Sequence, residues 1–252
     1  MAQTAAGAPP LISERATQAA LDVKGAAVNY YDSGDSGVGT AARDPVVLLH
    51  GTGGTALKHF GYLFPSLEFG QRVVALDFAP KPHSTDLSLD DLVEQAVAVI
   101  KRAVGGKPVT LVGYSLGAVV AARVASRHPD IVNNLVLVAG WMTTDGQQRL
   151  RNSVWQALYE TKRQEIADFT AFTAFSPSFL RSVPPAHMQG LLRGIQPDSF
   201  DEAQMRINRD VDISEDVATL SARTLVIGCT RDQMAPVAHS KSLFGAIEDC
   251  RY

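Results

Sequence analysis

The sequence has few cysteines, no long apolar run and no excess of one charge. Two of its 252 residues are cysteine, Cys229 and Cys250, which excludes a disulfide-rich scaffold and a cysteine-rich zinc module. The 23 basic and 26 acidic residues give a net charge of −3, so no overall basic field attracts nucleic acid or anionic lipid. No stretch approaches the ~20 consecutive apolar residues that a membrane helix needs. We therefore expect neither a nucleic-acid nor a membrane partner.

The N-terminal segment also lacks the features of a secretory signal. Residues 1–20 have neither a basic start nor a continuous apolar stretch. Two thiols without an obvious partner fit a reducing compartment. We expect a cytoplasmic protein.

The apolar residues that are present fall into short runs between turns and helical patterns. The strand-like runs are Ala20–Val23, Ala27–Tyr31, Val46–Leu49, Val73–Leu76, Val109–Val112, Leu135–Val138 and Thr224–Ile227. Several are continuous rather than alternating, which is typical of strands buried on both faces of a parallel sheet. Between these runs, the helical period appears in Leu89–Val104 and Leu116–Arg127. The alternation predicts an α/β fold with a mostly parallel sheet and helices on both faces.

The pattern also predicts the domain organisation. Residues 1–19 show no firm period and are predicted to form a mobile tail, and residues 20–252 a single α/β domain. After Trp141 the strand pattern disappears and helical patterns continue until the sheet resumes at Arg223. We interpret residues 142–212, approximately, as an inserted helical cap.

The strongest local signal is a serine between a strand and a helix. The strand at Val109 runs into the sequence G-Y-S-L-G, which begins at Gly113 and leads into a helix rich in small residues. A sharp turn of this kind lifts the Oγ of Ser115 above the sheet. The free N–H groups of the helix start then face a developing oxyanion. The motif predicts Ser115 as a nucleophile and the Leu116 N–H as one donor of an oxyanion hole.

A second glycine-rich turn follows the buried-type strand that begins at Val46. Its sequence, H-G-T-G-G from His50, lacks the lysine of a phosphate loop and the G-x-G-x-x-G spacing of a dinucleotide site. Glycines here allow backbone N–H groups to approach a substrate oxygen, and the Thr52 N–H is predicted to complete the oxyanion hole. The predicted substrate contacts are Gly51, Gly53, Tyr114 and Trp141.

Together with a third motif, these turns resemble the α/β-hydrolase superfamily. The third motif runs from Gly228 through Asp232 to Pro236, and the resemblance extends from about Leu21 to the end of the chain. It implies a Ser–Asp–His triad with Asp232 as the acid, or Asp145 as an alternative acid, and neither cofactor nor metal. A serine nucleophile in place of aspartate favours acyl chemistry.

The histidine of that triad is missing from its expected place. The family places it after the eighth strand, roughly 20–28 residues beyond the acid at ordinary element lengths, but 20 residues follow Asp232. The remaining candidates for the base are His239, His59, His83 and His187. The sequence therefore predicts a C-terminally shortened hydrolase, or a fragment of a longer one, without its last strand and helix. A second copy or a partner chain is then expected to cover the exposed edge strand.

Aromatic residues in the predicted cap suggest a substrate class. Phe169, Phe172 and Phe175 recur at a spacing of three and form a stripe on one helical face. The stripe either packs the cap on the core or lines the cleft; if it lines the cleft, the small-molecule substrate has a sizeable apolar part.

The sequence as a whole predicts a serine hydrolase that cleaves an ester, thioester or lactone through an acyl-enzyme on Ser115. Three alternatives stay open. A carbon–carbon bond hydrolase or a non-hydrolytic lyase can use the same fold, and a catalytically silent ligand-binding member fits the missing histidine.

Overall fold

A single eight-stranded sheet organises the chain. The computed structural model describes residues 12–35, 43–82 and 86–252. The strands are β1 (Thr17–Val23), β2 (Ala26–Asp32), β3 (Val46–Leu49), β4 (Val73–Asp77), β5 (Val109–Tyr114), β6 (Val132–Val138), β7 (Arg223–Ile227) and β8 (Cys250–Arg251). Their order is β1-β2-β4-β3-β5-β6-β7-β8. The pairs β1–β2 and β2–β4 are antiparallel and all other pairs are parallel, which confirms the predicted mostly parallel α/β sheet.

Helices connect these strands. They are α1 (Ala56–Phe60), α2 (Leu63–Glu68), α3 (Leu89–Val104), α4 (Leu116–Arg127), α5 (Gly146–Glu160), α6 (Glu165–Ala174), α7 (Pro177–Ser182), α8 (Pro185–Arg193), α9 (Ser199–Arg209), α10 (Ser214–Ala218) and α11 (Val237–Ala246). The bounds of α3 and α4 are the predicted ones. A capping box of Ser88 and Asp91 starts α3 and a left-handed Gly105 ends it, so both ends have a local cause. Among the described residues, no helix is long and apolar enough to span a membrane.

The first strand begins earlier than the sequence pattern predicts. Strand β1 starts at Thr17, and Ile12 and Ala16 are buried in a cluster with Phe64. The Ser13 hydroxyl also donates a hydrogen bond of 2.8 Å to the Glu68 carboxylate. The predicted tail of residues 1–19 is therefore too long, because a short apolar anchor without a period gives no strand signal. Residues 1–11 lie outside the described part of the chain.

The last strand, predicted to be missing, is present over two residues. In β8, Cys250 pairs with Thr224 and Arg251 with Leu225, in parallel. The edge strand of the sheet is therefore β8 and not β7, while one face of β7 stays open to solvent, with Leu225 39% and Ile227 41% exposed. The covering of the sheet edge by a second copy or a partner stays a prediction.

The parallel strands bring the predicted site together at one edge of the sheet. The carboxyl ends of β3, β5, β6 and β7 meet there, and the connections that follow them carry the two glycine-rich turns, Trp141 and Asp232. Helices α5–α9 occupy the segment predicted as a cap. A bridge between Thr143 and Asp212 closes the base of this insertion.

Candidate active site

Ser115 occupies a strained turn between β5 and α4. Its φ of 55° and ψ of −121° lie outside the regions that a non-glycine residue ordinarily adopts. The Ser115 N–H donates to the Val138 carbonyl at 2.9 Å, and the Ser115 carbonyl accepts from the Ala118 N–H at 2.9 Å. These bonds hold the turn between the sheet and the helix, so the strain is fixed by the fold.

The two glycines of the turn allow the helix to approach the sheet closely. A Cβ atom on Gly117 would lie 2.1 Å from the Leu49 carbonyl oxygen, and one on Gly113 would lie 2.2 Å from the Gly117 carbonyl oxygen. Both obstacles are backbone atoms, which cannot rotate away. The G-x-S-x-G spacing is therefore a packing requirement in this fold.

The second glycine-rich turn lies directly against the serine. A Cβ atom on Gly51 would be 2.9 Å from the Ser115 Cβ. The next residue, Thr52, accepts a hydrogen bond of 2.8 Å on Oγ1 from the Asn208 side-chain amide of α9. Leu116 is the first residue of α4, so its N–H has no acceptor within the helix. The turn, the serine and the helix start thus meet at one place.

A cavity of about 160 Å³ lies at this place. Its lining comprises Gly51, Thr52, His59, Tyr114, Ser115, Trp141, Gln148, Arg151, Asn152, Thr170, Ala174, Asn208 and Met234. Three of the four predicted substrate contacts line it. The fourth, Gly53, does not line it. Gly53 lies beside the Asp201 carboxylate of α9, since a Cβ atom on Gly53 would be 3.5 Å from Asp201 Oδ1.

The phenylalanine stripe of the cap does not line this cavity. Helix α6 turns Thr170 and Ala174 towards it, whereas Phe172 is 62% exposed and Phe175 stacks on Phe179 at 4.9 Å between ring centroids. The interpretation of the stripe as a cleft lining is therefore wrong. The spacing of three is real, but it does not fix which face of a cap helix points inward.

His50 has a structural role in the second turn. Its ring is buried, its Nδ1 lies 2.8 Å from the Gly51 carbonyl oxygen, and its Nε2 accepts from the Phe78 N–H at 3.0 Å. These partners require a neutral ring with its hydrogen on Nδ1. Burial lowers the pKa of His50 to about 4. Since both ring nitrogens are engaged with backbone, His50 is not available as a base.

His50 is expected to make the protein less stable in acid. Between pH 6.5 and about 4, the unfolded chain takes up a proton at His50 that the folded protein does not, so stability falls as the pH falls. A histidine with this pKa costs about 2 kcal/mol of stability at pH 5. Urea unfolding at pH 7.5 and pH 5.0 measures the loss. We expect His50→Gln to show a smaller loss than the unmodified protein, with the exposed His187→Gln as a control; an equal loss in His50→Gln contradicts this assignment.

His59 shares the cavity with Ser115. Its Nδ1 accepts a hydrogen bond of 3.1 Å from the Gly51 N–H, which places the ring hydrogen on Nε2 in the neutral form. Burial lowers the pKa of His59 to about 4, with smaller contributions from His50 and Lys58. To take a proton on Nε2, the ring would have to move its hydrogen to Nδ1, where it would face another donor. In this tautomer His59 is a donor and not a base.

The other candidate bases do not reach the cavity. His187 is exposed on α8, and His239 is buried on α11; neither lines the cavity. His83 lies outside the described residues. Within the described part of the chain, no hydrogen bond joins a histidine to Ser115 Oγ.

The two candidate acids have local partners instead. One oxygen of Asp232 accepts from the Met234 and Ala235 N–H groups at 2.8 and 2.9 Å. Burial raises the pKa of Tyr114, and the negative charge of Asp232 adds to this shift. Asp145 caps α5, and its second oxygen lies 3.2 Å from His239 Nε2 without the alignment of a hydrogen bond.

Sequence reasoning missed the polar residues that the cap contributes to the cavity. They are Gln148, Arg151 and Asn152 of α5, Thr170 of α6 and Asn208 of α9. On α5 the sequence contained a usable signal. Gln148, Arg151 and Asn152 recur with the buried Trp155 at the spacing of one helical face. Polar residues on the face of a helix that also carries a buried tryptophan indicate a polar site.

Comparison with known proteins agrees with this architecture. The family model described as alpha/beta hydrolase fold matches residues 44–247. A pyrrolizixenacetamide deacetylase of Xenorhabdus hominickii is 28% identical over 215 residues, which cover 82% of this chain and 80% of the relative. A pimeloyl-[acyl-carrier protein] methyl ester esterase of Vibrio atlanticus is 29% identical over 216 residues, with coverage of 80% and 81%. The crystal structure of MGS-M2, an alpha/beta hydrolase from a deep-sea metagenome library, superposes with a TM-score of 0.81 at 16% identity, with coverage of 92% and 87%.

The chain belongs to the α/β-hydrolase family, since the family model matches more than half of it. It is an enzyme of the hydrolase class.

Proposed function

We propose that this hydrolase removes a short acyl group from an ester, thioester, lactone or amide through an acyl-enzyme on Ser115. The proposal rests on the strained turn at Ser115. The Gly51 backbone packs against this turn, and Ser115 lines the cavity. Strain of this kind is retained where a side chain must be presented in one orientation. A serine in this orientation supports acyl transfer, because the nucleophile at this position is a hydroxyl and not the carboxylate of an aspartate.

The oxyanion hole in this proposal consists of the Thr52 and Leu116 N–H groups. Leu116 offers a free N–H at the start of α4, where the helix dipole also favours negative charge. Thr52 is held from the cap through Asn208, so its amide is positioned before substrate binds. Fixed donors of this kind stabilise the tetrahedral intermediate without reorganisation in the transition state.

The proton of the Ser115 hydroxyl ends on the departing alcohol, thiol or amine, and neither His50 nor His59 is placed to carry it. His50 and His59 each engage Nδ1 with the backbone of Gly51, and His59 presents an N–H to the cavity. Asp232 keeps the role of acid because it occupies, after β7, the position that the family motif gives to the acid.

The size and polarity of the cavity favour a small acyl group. A space of about 160 Å³ is similar to an engineered cavity of about 150 Å³ that holds benzene. The similarity to a relative named as a deacetylase supports the same size class. This replaces the sizeable apolar substrate that the phenylalanine stripe suggested.

A comparison of acyl lengths tests the proposal. We expect kcat/KM for 4-nitrophenyl acetate to exceed that for 4-nitrophenyl octanoate by at least about tenfold, since each methylene that does not fit lowers transition-state binding. The release of 4-nitrophenol measures both rates. Faster hydrolysis of the octanoate would contradict the short-acyl assignment. Hydrolysis of neither ester, with turnover of a carbon–carbon bond instead, would favour the alternative chemistries on this fold.

A further inference from the structure

The cavity beside Ser115 contains buried polar atoms that lack partners. Arg151 Nε, Thr170 Oγ1 and Asn208 Oδ1 are buried without a hydrogen bond from any described residue, and all three side chains line the cavity. They come from three different cap helices, α5, α6 and α9. Unpaired buried polar groups are unfavourable and uncommon in folded proteins. The described residues contain eight such atoms, and the grouping of three of them around one cavity indicates a site whose ligand supplies the partners.

Arg151 brings a positive charge into this cavity. One of its terminal nitrogens donates to the Asn152 side-chain oxygen, and within the described residues no carboxylate lies within ion-pair distance of it. Burial lowers the pKa of Arg151 to about 10, and the charge of Asp232 opposes that shift. The guanidinium therefore stays charged at neutral pH and keeps donors that no described residue uses.

The arrangement of donors selects the kind of ligand. A guanidinium presents its N–H groups in a planar fork that matches a carboxylate, and the Thr170 hydroxyl can donate to the same group. A single carboxylate also matches the single charge of Arg151. Asn208 is oriented by the bond from its nitrogen to Thr52, so its unpaired oxygen accepts a hydrogen bond from a hydroxyl or amide of the ligand.

We propose that Arg151 and Thr170 bind a carboxylate of the substrate, so that the enzyme acts on small esters or amides that carry a free carboxylate. The assignment of a substrate class rests on the proposed hydrolysis at Ser115. The carboxylate site itself depends only on the cap residues. It names the substrate class that the short-acyl assignment leaves open.

Binding to the Ser115→Ala protein tests the site without turnover. The probes are monoethyl succinate and ethyl 4-methylpentanoate, in which an isopropyl group of similar shape replaces the carboxylate. By calorimetric titration, we expect the charged ester to bind at least about tenfold more tightly than the neutral one. Equal affinity of the two esters would overturn the proposal, and this comparison needs no change at Arg151.

Variants on the same helix locate the effect. In the Ser115→Ala background, Arg151→Met is expected to weaken binding of monoethyl succinate by at least about 30-fold, and Arg151→Lys to restore part of it. Arg149→Met removes an equal charge from an exposed position of α5 and is expected to change the affinity less than about twofold, as distance and screening predict. Similar losses in Arg151→Met and Arg149→Met would overturn a specific site. Thermal unfolding of each variant shows whether it is folded.

Hydrolysis by the unmodified protein separates this inference from the proposed function. If monoethyl succinate binds tightly but neither it nor 4-nitrophenyl acetate is hydrolysed, the proposed hydrolysis at Ser115 is contradicted. The proposed carboxylate site is then still supported. Hydrolysis of 4-nitrophenyl acetate without preferential binding of the charged ester would overturn the carboxylate site alone.

Discussion

Replacement of Ser115 by alanine is expected to lower kcat/KM for 4-nitrophenyl acetate by at least about 10³-fold. The alanine removes the only atom that the account assigns to form the acyl-enzyme, while the turn, the oxyanion donors and the cavity stay in place. Removal of a serine nucleophile costs up to about 10⁶-fold where the base is fully effective, and part of the rate over water survives through the oxyanion hole. The loss is expected in kcat, because the hydroxyl acts in the chemical step.

A second serine provides the matched control. Ser126 lies on the same helix, α4, and its hydroxyl bonds to Thr219 at 2.8 Å on the surface. Ser126→Ala is expected to retain activity within about twofold, as is usual for surface substitutions. If Ser115→Ala kept more than about a tenth of the activity, a different residue would have to form the covalent intermediate.

Replacement of Gly117 by alanine is expected to destabilise the protein by about 3 kcal/mol or more and to abolish activity. The new Cβ would lie 2.1 Å from the Leu49 carbonyl oxygen and 2.6 Å from that of His50. Both oxygens belong to β3 and the turn after it, so relief of the clash must move α4 away from the sheet. Such a movement displaces Ser115 and the Leu116 N–H together. Urea unfolding and ester hydrolysis measure the two effects.

Gly245 gives the opposite expectation for the same substitution. It lies within α11, and a Cβ atom there would meet nothing within 4 Å. Alanine stabilises a helix relative to glycine by up to about 1 kcal/mol, so Gly245→Ala is expected to raise the unfolding midpoint slightly. A Gly117→Ala protein with an unchanged midpoint and full activity would refute the close approach of helix and sheet.

The sheet and the serine turn were predictable because both have strong local causes. Continuous apolar runs such as Val46–Leu49 and Val109–Val112 are short, rich in valine and bounded by turn residues, which favours a strand covered on both faces over a buried helix. The glycines at 113 and 117 indicate that the backbones of the helix and the sheet approach too closely for any side chain. These signals lie within a few neighbouring residues, and the fold adds no competing constraint.

The α6 part of the cap was not predictable for the opposite reason. Which face of α6 points inward depends on how the cap packs over the sheet, and this packing is not encoded in a short segment. Thr170 therefore appears only in the structure, and Phe172 of the phenylalanine stripe is exposed. On α5 the spacing of Arg151 from the buried Trp155 was a usable signal that the sequence analysis did not use. The two-residue pairing of β8 is likewise too short for a periodic signal.

Covalent labelling shows whether Ser115 is the nucleophile. The intact mass of the purified protein is measured before and after treatment with a fluorophosphonate, with Ser115→Ala treated in parallel. We expect one adduct per chain, located by peptide mapping on Ser115 and missing from the alanine variant. No adduct on the unmodified protein, or an adduct that persists in Ser115→Ala, would contradict it.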